Sequence, residues 1–279
     1  MNARIRPARR EDRAAVVELL HTRMNTRIPR ERWALLFDYP WRPADAPDFG
    51  RVLEADGKIV GYLGATYVDR SVEGERVRIC NMSSWYLLRE HRGQGHGRTM
   101  VLDLAADPEV TYTDVTATPQ VHGMLLAHAG FAVLDRERWI LRRDPSRAGA
   151  AALRDAADTP ELEHHRGLND VRFLRAEIAG EGCILAIQVK KKGEGVAYHQ
   201  VLHADAPGVL ARHAGAIAAA LLPDEPSVLA IDHRLAPARP AGAESEAIPQ
   251  PRLYKSRRLS RERIDNLYTE VLLLDQKLP

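Results

Sequence analysis

The chain has 279 residues, of which 45% are hydrophobic and 28% are charged, a composition typical of folded globular proteins rather than disordered ones. Its 40 basic and 38 acidic side chains nearly balance, which excludes an overall attraction to nucleic acid or to an anionic membrane. The two cysteines, Cys80 and Cys183, exclude a disulfide framework, and the segment MNARIRPARRED lacks the apolar core of a signal peptide, so we expect a cytoplasmic protein.

The first half of the chain has the pattern of an α/β domain. Helical periodicity predicts amphipathic helices at 10–24 and 30–41. Next, a turn at Asp56 and Gly57 predicts a strand hairpin over 51–70. The elements predicted after it are a strand at 75–88, a helix at 97–107, a strand at 110–117, a helix at 118–130 and two strands within 131–143.

The segment DPSRAGAAALRDAADTP (144–160) is rich in Ala, Asp and Pro and predicts a domain boundary near 144–150, which we place between residues 1–146 and 147–279. In the second half, the sequence predicts a strand hairpin over 183–204 with a solvated turn at KKKGEG (190–195), then a helix at 208–222 and a strand at 227–235. Two terminal strands are predicted at RLYKSRR (252–258) and LYTEVLLL (267–274). This order repeats that of the later first half, which predicts a structural repeat.

The loop HRGQGHGRT (91–99) places three glycines between two arginines at the junction of a strand and a helix. The first backbone N–H groups of a helix lack partners and carry partial positive charge, so they attract anions. Glycines let a backbone approach a phosphate closely, and Arg92 and Arg98 add full positive charges. The loop therefore predicts a pyrophosphate site, with a glycine-rich turn bearing solvated arginines as the alternative.

Two familiar phosphate-binding motifs do not fit this loop. A P-loop requires a Lys that is missing, and a dinucleotide fingerprint requires a different glycine spacing within a parallel βαβ unit. Arg92-x-x-Gly95-x-Gly97, with this order of elements and with Gly130-Phe131 after the last helix, resembles the acyl-CoA-binding motif of the GNAT acyltransferase superfamily over residues 1–145.

The resemblance implies a mixed, mostly antiparallel sheet flanked by helices. It implies a CoA pyrophosphate on the loop and a pantetheine arm along the preceding strand; the binding residues would be Tyr86, Leu87, Leu88, Arg92, Gly93, Gln94, Gly95, His96, Gly97, Arg98 and Thr99. The second lobe is expected to be a smaller α/β lobe of degenerate GNAT shape. There Asp205 and the single Gly208 replace the basic glycine loop, so we expect that lobe to bind no CoA.

The usual catalytic groups of the family are missing at their usual positions. Ser83 and Ser84 stand where many members carry a Glu base, and Leu126 stands where many carry a Tyr acid. The candidates that remain are Ser83, Ser84, Tyr86 and His128, while a proton could instead leave through water or through a group of the second lobe. Cys80 is expected to be a buried structural thiol.

The segment WALLFDYPW carries four aromatic residues, Trp33, Phe37, Tyr39 and Trp41, in the region that borders the acceptor pocket in the family. They predict an aromatic wall for the acceptor, with core packing as the alternative for Trp33 and Phe37. Tyr39 and Trp41, beside Pro40, are expected to be exposed.

The sequence thus predicts an acyl-CoA-dependent acyltransferase, with acetyl-CoA as the first candidate, acting by direct attack of an amine in a ternary complex. The acceptor is a small molecule or a peptide that the sequence does not identify; no metal, nucleic acid or membrane is expected, and no oligomeric state is predicted. A non-catalytic acyl-CoA sensor and an inert scaffold are the alternatives.

Overall fold

The computed structural model describes residues 3–168, 171–193 and 195–279. They form two compact units. The first comprises Met1–Val133, Arg252–Arg263 and Tyr268–Pro279, and the second comprises Leu134–Pro251 and Ile264–Leu267. The domain boundary predicted between residues 146 and 147 stays a prediction.

The first unit contains β1 (Ala3–Pro7), α1 (Arg13–Leu19) followed by a π-helical turn (Leu20–Met24), α2 (Arg30–Ala34), β2 (Gly50–Ala55), β3 (Lys58–Val72), β4 (Glu75–Leu87), α3 (His96–Leu104), β5 (Val110–Asp114) and α4 (Pro119–His128). The short helix α7 (Glu270–Leu273) and the last residues of β12 (Glu244–Lys255) also belong to it. The sheet order is β1-β2-β3-β4-β5-β12, and every neighbouring pair is antiparallel except β4 and β5.

The hairpin between β2 and β3 is confirmed, and its turn shows why the local sequence was informative. Asp56 and Gly57 both adopt a positive φ, 48° and 75°. That pair of left-handed residues is the signature of the two-residue turn whose twist matches a hairpin, and Asp-Gly is a preferred pair for it.

The two faces of this sheet are covered by different helices. Cys80 and Met82 of β4 belong to the core that β2–β5 form with α3 and α4. Since neighbouring side chains of a strand point to opposite faces, Asn81 and Ser83 point to the other face. On that second face α1 contacts β3 and α7 contacts β4.

The second unit contains β6 (Ala132–Leu141), which begins at the end of the first unit, β7 (Ala152–Asp155), α5 (Pro160–His165), β8 (Val171–Ile178), β9 (Glu181–Lys192), β10 (Val196–Ala204), α6 (Pro207–Leu221) and β11 (Ser227–Asp232). Its strands are ordered β6-β11-β10-β9-β8-β7, and only β10 and β11 are parallel. Glu194, in the predicted turn between β9 and β10, lies outside the described residues.

The hairpin, helix and strand of the predicted repeat are present in both units, whereas among the described residues its two terminal strands are not. In each unit a meander of four antiparallel strands leads into a helix, α3 or α6, and then into a strand parallel to the last strand of the meander. The predicted fold class is confirmed: the fold is mixed α/β with a mostly antiparallel sheet flanked by helices.

Three expectations about local structure were wrong, and four elements were not predicted. Residues 131–143 form the single strand β6, because no turn residue interrupts the run. Residues 267–274 contain α7 rather than a strand, since a short apolar run fits either structure. The helix predicted at 30–41 ends at Ala34, and β1, β7, β8 and α5 were not predicted.

Candidate active site

The glycine loop joins β4 to α3 and is open to solvent. Gly93 and Gly95 have φ angles of 74° and 82°, a left-handed conformation that disfavours any side chain, and Gly95 is the residue that precedes α3. Residues 92–95 are exposed. The first N–H groups of the nine-residue helix α3 therefore face outward at an accessible strand-to-helix turn, which is the arrangement that binds anions.

The third glycine of the loop has a different role. A Cβ atom on Gly97 would lie 2.7 Å from Cζ2 of Trp85, so α3 could not approach β4 this closely with any other residue at position 97. Gly97 therefore contributes packing between helix and strand, whereas the sequence analysis assigned it to phosphate approach.

The polar residues of the loop are fixed mainly by backbone contacts. Arg92 Nε donates a hydrogen bond to the Leu87 carbonyl at 2.8 Å, and its guanidinium carbon lies 5.1 Å from the centre of the Tyr86 ring. Gln94 Nε2 donates to the Glu90 carbonyl at 2.8 Å. Thr99 Oγ1 donates to the Gly95 carbonyl at 3.3 Å, and the side chain of Arg98 is exposed while His96 is half-buried.

Strands β4 and β5 separate next to this loop. Their paired residues run from Arg78 and Val110 to Asn81 and Thr113, whereas β4 continues to Leu87 along β3. Ser84 forms a bulge with φ of 51° where the register between β3 and β4 shifts. The β4 segment after Asn81, which includes Tyr86 and Leu87, therefore has an edge that β5 does not pair.

The two serines predicted as site residues lie in a buried polar patch beside this opening. Ser83 and Ser84 are 3% and 7% exposed, and neither Oγ atom has a hydrogen-bond partner among the described residues. Thr66 lies directly opposite Asn81 on β3, and its Oγ1 is likewise buried without a described partner. Asn81 Nδ2 donates to Thr113 Oγ1 at 3.1 Å.

A carboxylate that the sequence analysis missed belongs to the same patch. The backbone N–H of Glu270 donates to Asn81 Oδ1 at 2.9 Å, and Glu270 Oε1 accepts a hydrogen bond from Thr116 Oγ1 at 2.6 Å. Glu270 Oε2 is buried without a partner among the described residues. The available sequence signal was that Glu270 is the single charged residue within the apolar run LYTEVLLL.

Burial changes the acidity of two carboxyl groups here. It raises the pKa of Glu270 to about 8, with the nearby Asp114 adding to the rise and the Thr116 hydrogen bond opposing it. Burial also raises the pKa of Asp114 to about 7, against the backbone N–H bonds from Thr116 and Ala117. Desolvation dominates both shifts, because a buried carboxylate loses its hydration.

The four aromatic residues predicted to line the acceptor pocket are all buried. Trp33 and Phe37 are each 1% exposed, and Phe37 stacks on Phe49 with ring centres 4.8 Å apart. The expectation that Tyr39 and Trp41 are exposed was wrong, since each is 4% exposed.

Specific contacts hold Tyr39 and Trp41 inside. The Tyr39 hydroxyl accepts a hydrogen bond from the Tyr67 N–H at 2.9 Å, and the Trp41 ring meets the Tyr268 ring edge-on at 5.4 Å. Pro40 itself is exposed, whereas the aromatic residues on either side of it are held inside, and their role toward an acceptor stays a prediction.

The remaining candidates differ in access. Tyr86 is half-buried on β4, whereas His128 is exposed at the last position of α4. Cys80 is fully buried, and burial raises the pKa of its thiol, as expected for a structural cysteine.

The corresponding turn of the second unit, between β10 and α6, is built differently. The carboxylate of Asp205 accepts a hydrogen bond from the Ile184 N–H at 2.7 Å, and Pro207 opens the helix. A negative charge therefore stands before α6 where a basic glycine loop stands before α3. Among the described residues we find no cluster of three or more potential metal ligands and no helix long and apolar enough to cross a membrane.

Comparison with known proteins gave one family and a set of related folds. Residues 14–120 match the family model described as "Acetyltransferase (GNAT) family". The chain resembles the solved structures of a GCN5-related N-acetyltransferase from Anabaena variabilis (TM-score 0.55, 10% identity, 91% of this chain and 72% of that one) and another from Kribbella flavida (0.54, 15%, 91% and 70%).

It also resembles Eis1 from Mycobacterium abscessus (TM-score 0.52, 13% identity, 91% of this chain and 73% of that one). The comparison with curated proteins found no match. At these identities the solved structures establish a shared fold, and their coverage of 91% includes residues of both units.

Proposed function

We propose, from the match of residues 14–120 to the GNAT acetyltransferase family model, that the protein is an acyl-CoA-dependent acyltransferase that transfers an acyl group, with acetyl as the first candidate, to an amine. The observation that carries this proposal is the parting of β4 and β5 beside an exposed glycine loop at the N-terminus of α3.

The loop supplies what a CoA pyrophosphate requires. The N–H groups that begin α3 provide directed donors, and the exposed charges of Arg92 and Arg98 add attraction that a neutral turn would lack. The stacked contact between Arg92 and Tyr86 supports a preformed position for that guanidinium. Residues 93–98 are proposed to hold the pyrophosphate.

The unpaired edge of β4 is proposed to take the pantetheine arm as an added strand along Tyr86, Leu87 and Leu88. Two of these backbones already have partners within the chain: the Leu88 N–H donates to the Val60 carbonyl at 2.9 Å, and the Leu87 carbonyl accepts from Arg92. The thioester would then lie where the strands part. An amine held there would attack the thioester carbonyl directly, without a covalent acyl-enzyme.

Calorimetry with acetyl-CoA tests the binding step. Gly95→Val should abolish binding and leave the protein folded, because position 95 requires a positive φ and a branched side chain there would enter the anion site. Gly74→Val is the matched control: Gly74 also has a positive φ, 87°, and open space around its Cβ position, but it lies in the turn between β3 and β4. Wild-type affinity in the Gly95→Val protein would refute the proposed CoA site.

Release of free CoA thiol separates an enzyme from a sensor. We expect amine-dependent thiol release from acetyl-CoA, with acetylated amine formed in equal amount. Tight binding without release would instead identify a non-catalytic acyl-CoA sensor, and absence of binding would leave a scaffold.

A further inference from the structure

A buried carboxylate lies where β4 and β5 part, on the face of the sheet opposite α3. Asn81 and Thr113 are the last paired residues of these strands. Asn81 Oδ1 accepts the Glu270 N–H, and Thr116, two residues past the end of β5, donates to Glu270 Oε1. Asn81 of β4 therefore holds the backbone of Glu270, and Thr116, just after β5, holds its carboxylate.

Three of the polar side-chain atoms around the opening have no hydrogen-bond partner among the described residues. These buried, unpartnered atoms are Glu270 Oε2, Ser83 Oγ and Thr66 Oγ1. Asn81 and Ser83 share one face of β4, and Thr66 shares it because it is paired with Asn81. Buried polar atoms are nearly always hydrogen-bonded, so three on this face of the sheet, beside Asn81, indicate that a polar ligand group completes the set.

We propose that Glu270 is the general base of the acyl transfer, accepting the proton of the acceptor amine at Oε2. This inference rests on the proposed acyltransferase function. It names a residue that can accept the proton, a role that Ser83 and Ser84 cannot fill. Oε1 keeps its bond to Thr116, which orients the carboxylate and leaves Oε2 as the accepting atom.

The step balances in atoms and charge. The amine lone pair forms the N–C bond to the thioester carbonyl, the C–S bond breaks with its electron pair on sulfur, and the amine proton passes to Glu270 Oε2. The products are the amide, the CoA thiolate and protonated Glu270. Transfer of that proton to the thiolate, directly or through solvent, restores the carboxylate and gives CoA thiol.

The base acts only when ionised, so its surroundings set the pH range. Burial raises the pKa of Glu270 to about 8, and Asp114 on β5 adds to this rise. Two cations belong to the surroundings of α7: Arg70 of β3 lies 5.3 Å from the centre of the Tyr268 ring, and Arg32 of α2 donates to the Leu273 carbonyl at 3.5 Å. We expect kcat/KM to rise with pH through a midpoint at about pH 8 and to reach a plateau above about pH 9.

The test measures thiol release from acetyl-CoA with two amine probes across pH. Aniline is neutral at every pH of the assay, so a rise in rate with aniline reports ionisation of a group on the enzyme. Benzylamine loses its proton only at high pH, so its profile reports ionisation of both the enzyme and the amine. Glu270→Gln keeps the acceptor for Thr116 and removes the base. We expect it to lower kcat at the plateau about a hundredfold or more and to abolish the rise with aniline.

Asp114→Asn is the matched control, because Asp114 is the other buried carboxyl group of this region with a raised pKa. We expect a plateau rate within about threefold of wild type and a midpoint of the aniline profile at lower pH, since the charge that raises the pKa of Glu270 is removed. Calorimetry on all three proteins should give the same affinity for acetyl-CoA, which shows that each is folded.

Three other outcomes of these experiments would contradict the inference or the proposed function. An active wild type with Glu270→Gln within about threefold of it would overturn the inference and leave the acyltransferase intact. Binding without thiol release in the wild type would overturn the inference and indicate a sensor. No binding in the wild type would overturn the proposed function itself.

Discussion

The buried carboxyl of Glu270 should make the protein less stable as pH rises, and replacing it by Gln should remove that effect. In the unfolded chain this carboxyl has the ordinary glutamate pKa of 4.5, whereas burial raises it to about 8 in the folded protein. Between these values the folded state holds a proton that the unfolded state has lost. The stabilising contribution is therefore complete below the unfolded pKa and is lost as pH rises through the folded one.

The magnitude follows from the two pKa values. Each pKa unit corresponds to about 1.4 kcal/mol, and the interval from about pH 5 to about pH 9 contains most of the shift. Integrated over that interval, Glu270 alone should lower the free energy of unfolding by about 4 kcal/mol. Asp114 acts in the same direction, but it is present in both proteins and largely cancels from their difference.

Urea unfolding of wild type and Glu270→Gln at about pH 5, 7 and 9 measures this difference without any substrate. The Gln protein should lose less stability with pH and be the more stable of the two at the highest pH. Parallel pH profiles of stability would show that Glu270 titrates at its ordinary pKa in the folded protein, and the argument for a buried carboxylate beside β4 would then fail.

The remaining predictions concern other parts of the chain. Titration with acetyl-CoA should give one site per chain, because Asp205 stands before α6 where α3 has its glycine loop; two sites would contradict this. Gly97→Ala should cost about 1–3 kcal/mol of stability through the clash with Trp85, whereas an unchanged urea midpoint would show that α3 can shift. Arg234→Ala should cost about 3–5 kcal/mol, because Asp135 and Asp232 would lose the buried guanidinium between them; a cost below about 1 kcal/mol would contradict the buried pair. His128→Ala should keep thiol release within about threefold of wild type, because His128 is exposed at the end of α4; a hundredfold loss would instead make it the base.

The features that the sequence predicted well are those fixed by residues close together in the chain. Asp56 and Gly57 determine their turn within four residues, and the glycine loop carries its own left-handed positions at Gly93 and Gly95. The hairpins and the repeated strand order follow from such local signals. The family resemblance added the place of the loop within the sheet.

What the sequence did not predict depends on contacts between distant segments. Glu270 meets Asn81 and Thr116 through hydrogen bonds that span 189 and 154 residues of chain, and no periodicity reports such a contact. The burial of Trp41 likewise depends on Tyr268, from the far end of the sequence. Exposure inferred from a neighbouring proline therefore failed where a remote segment covers the side chain.

The last residues of the chain belong to the unit that begins with its first residues, and this fixes the order in which the protein acquires its parts during synthesis. When a ribosome has completed α4, the glycine loop and both strands of the opening exist, but the segment carrying Glu270 and the part of β12 that pairs with β5 have not been made. A nascent chain, or a product of premature termination, would therefore carry the glycine loop without the carboxylate. On the proposed function and mechanism, such fragments would bind acyl-CoA but could not use Glu270 to transfer its acyl group, so we expect activity only after residue 270 has been synthesised and docked.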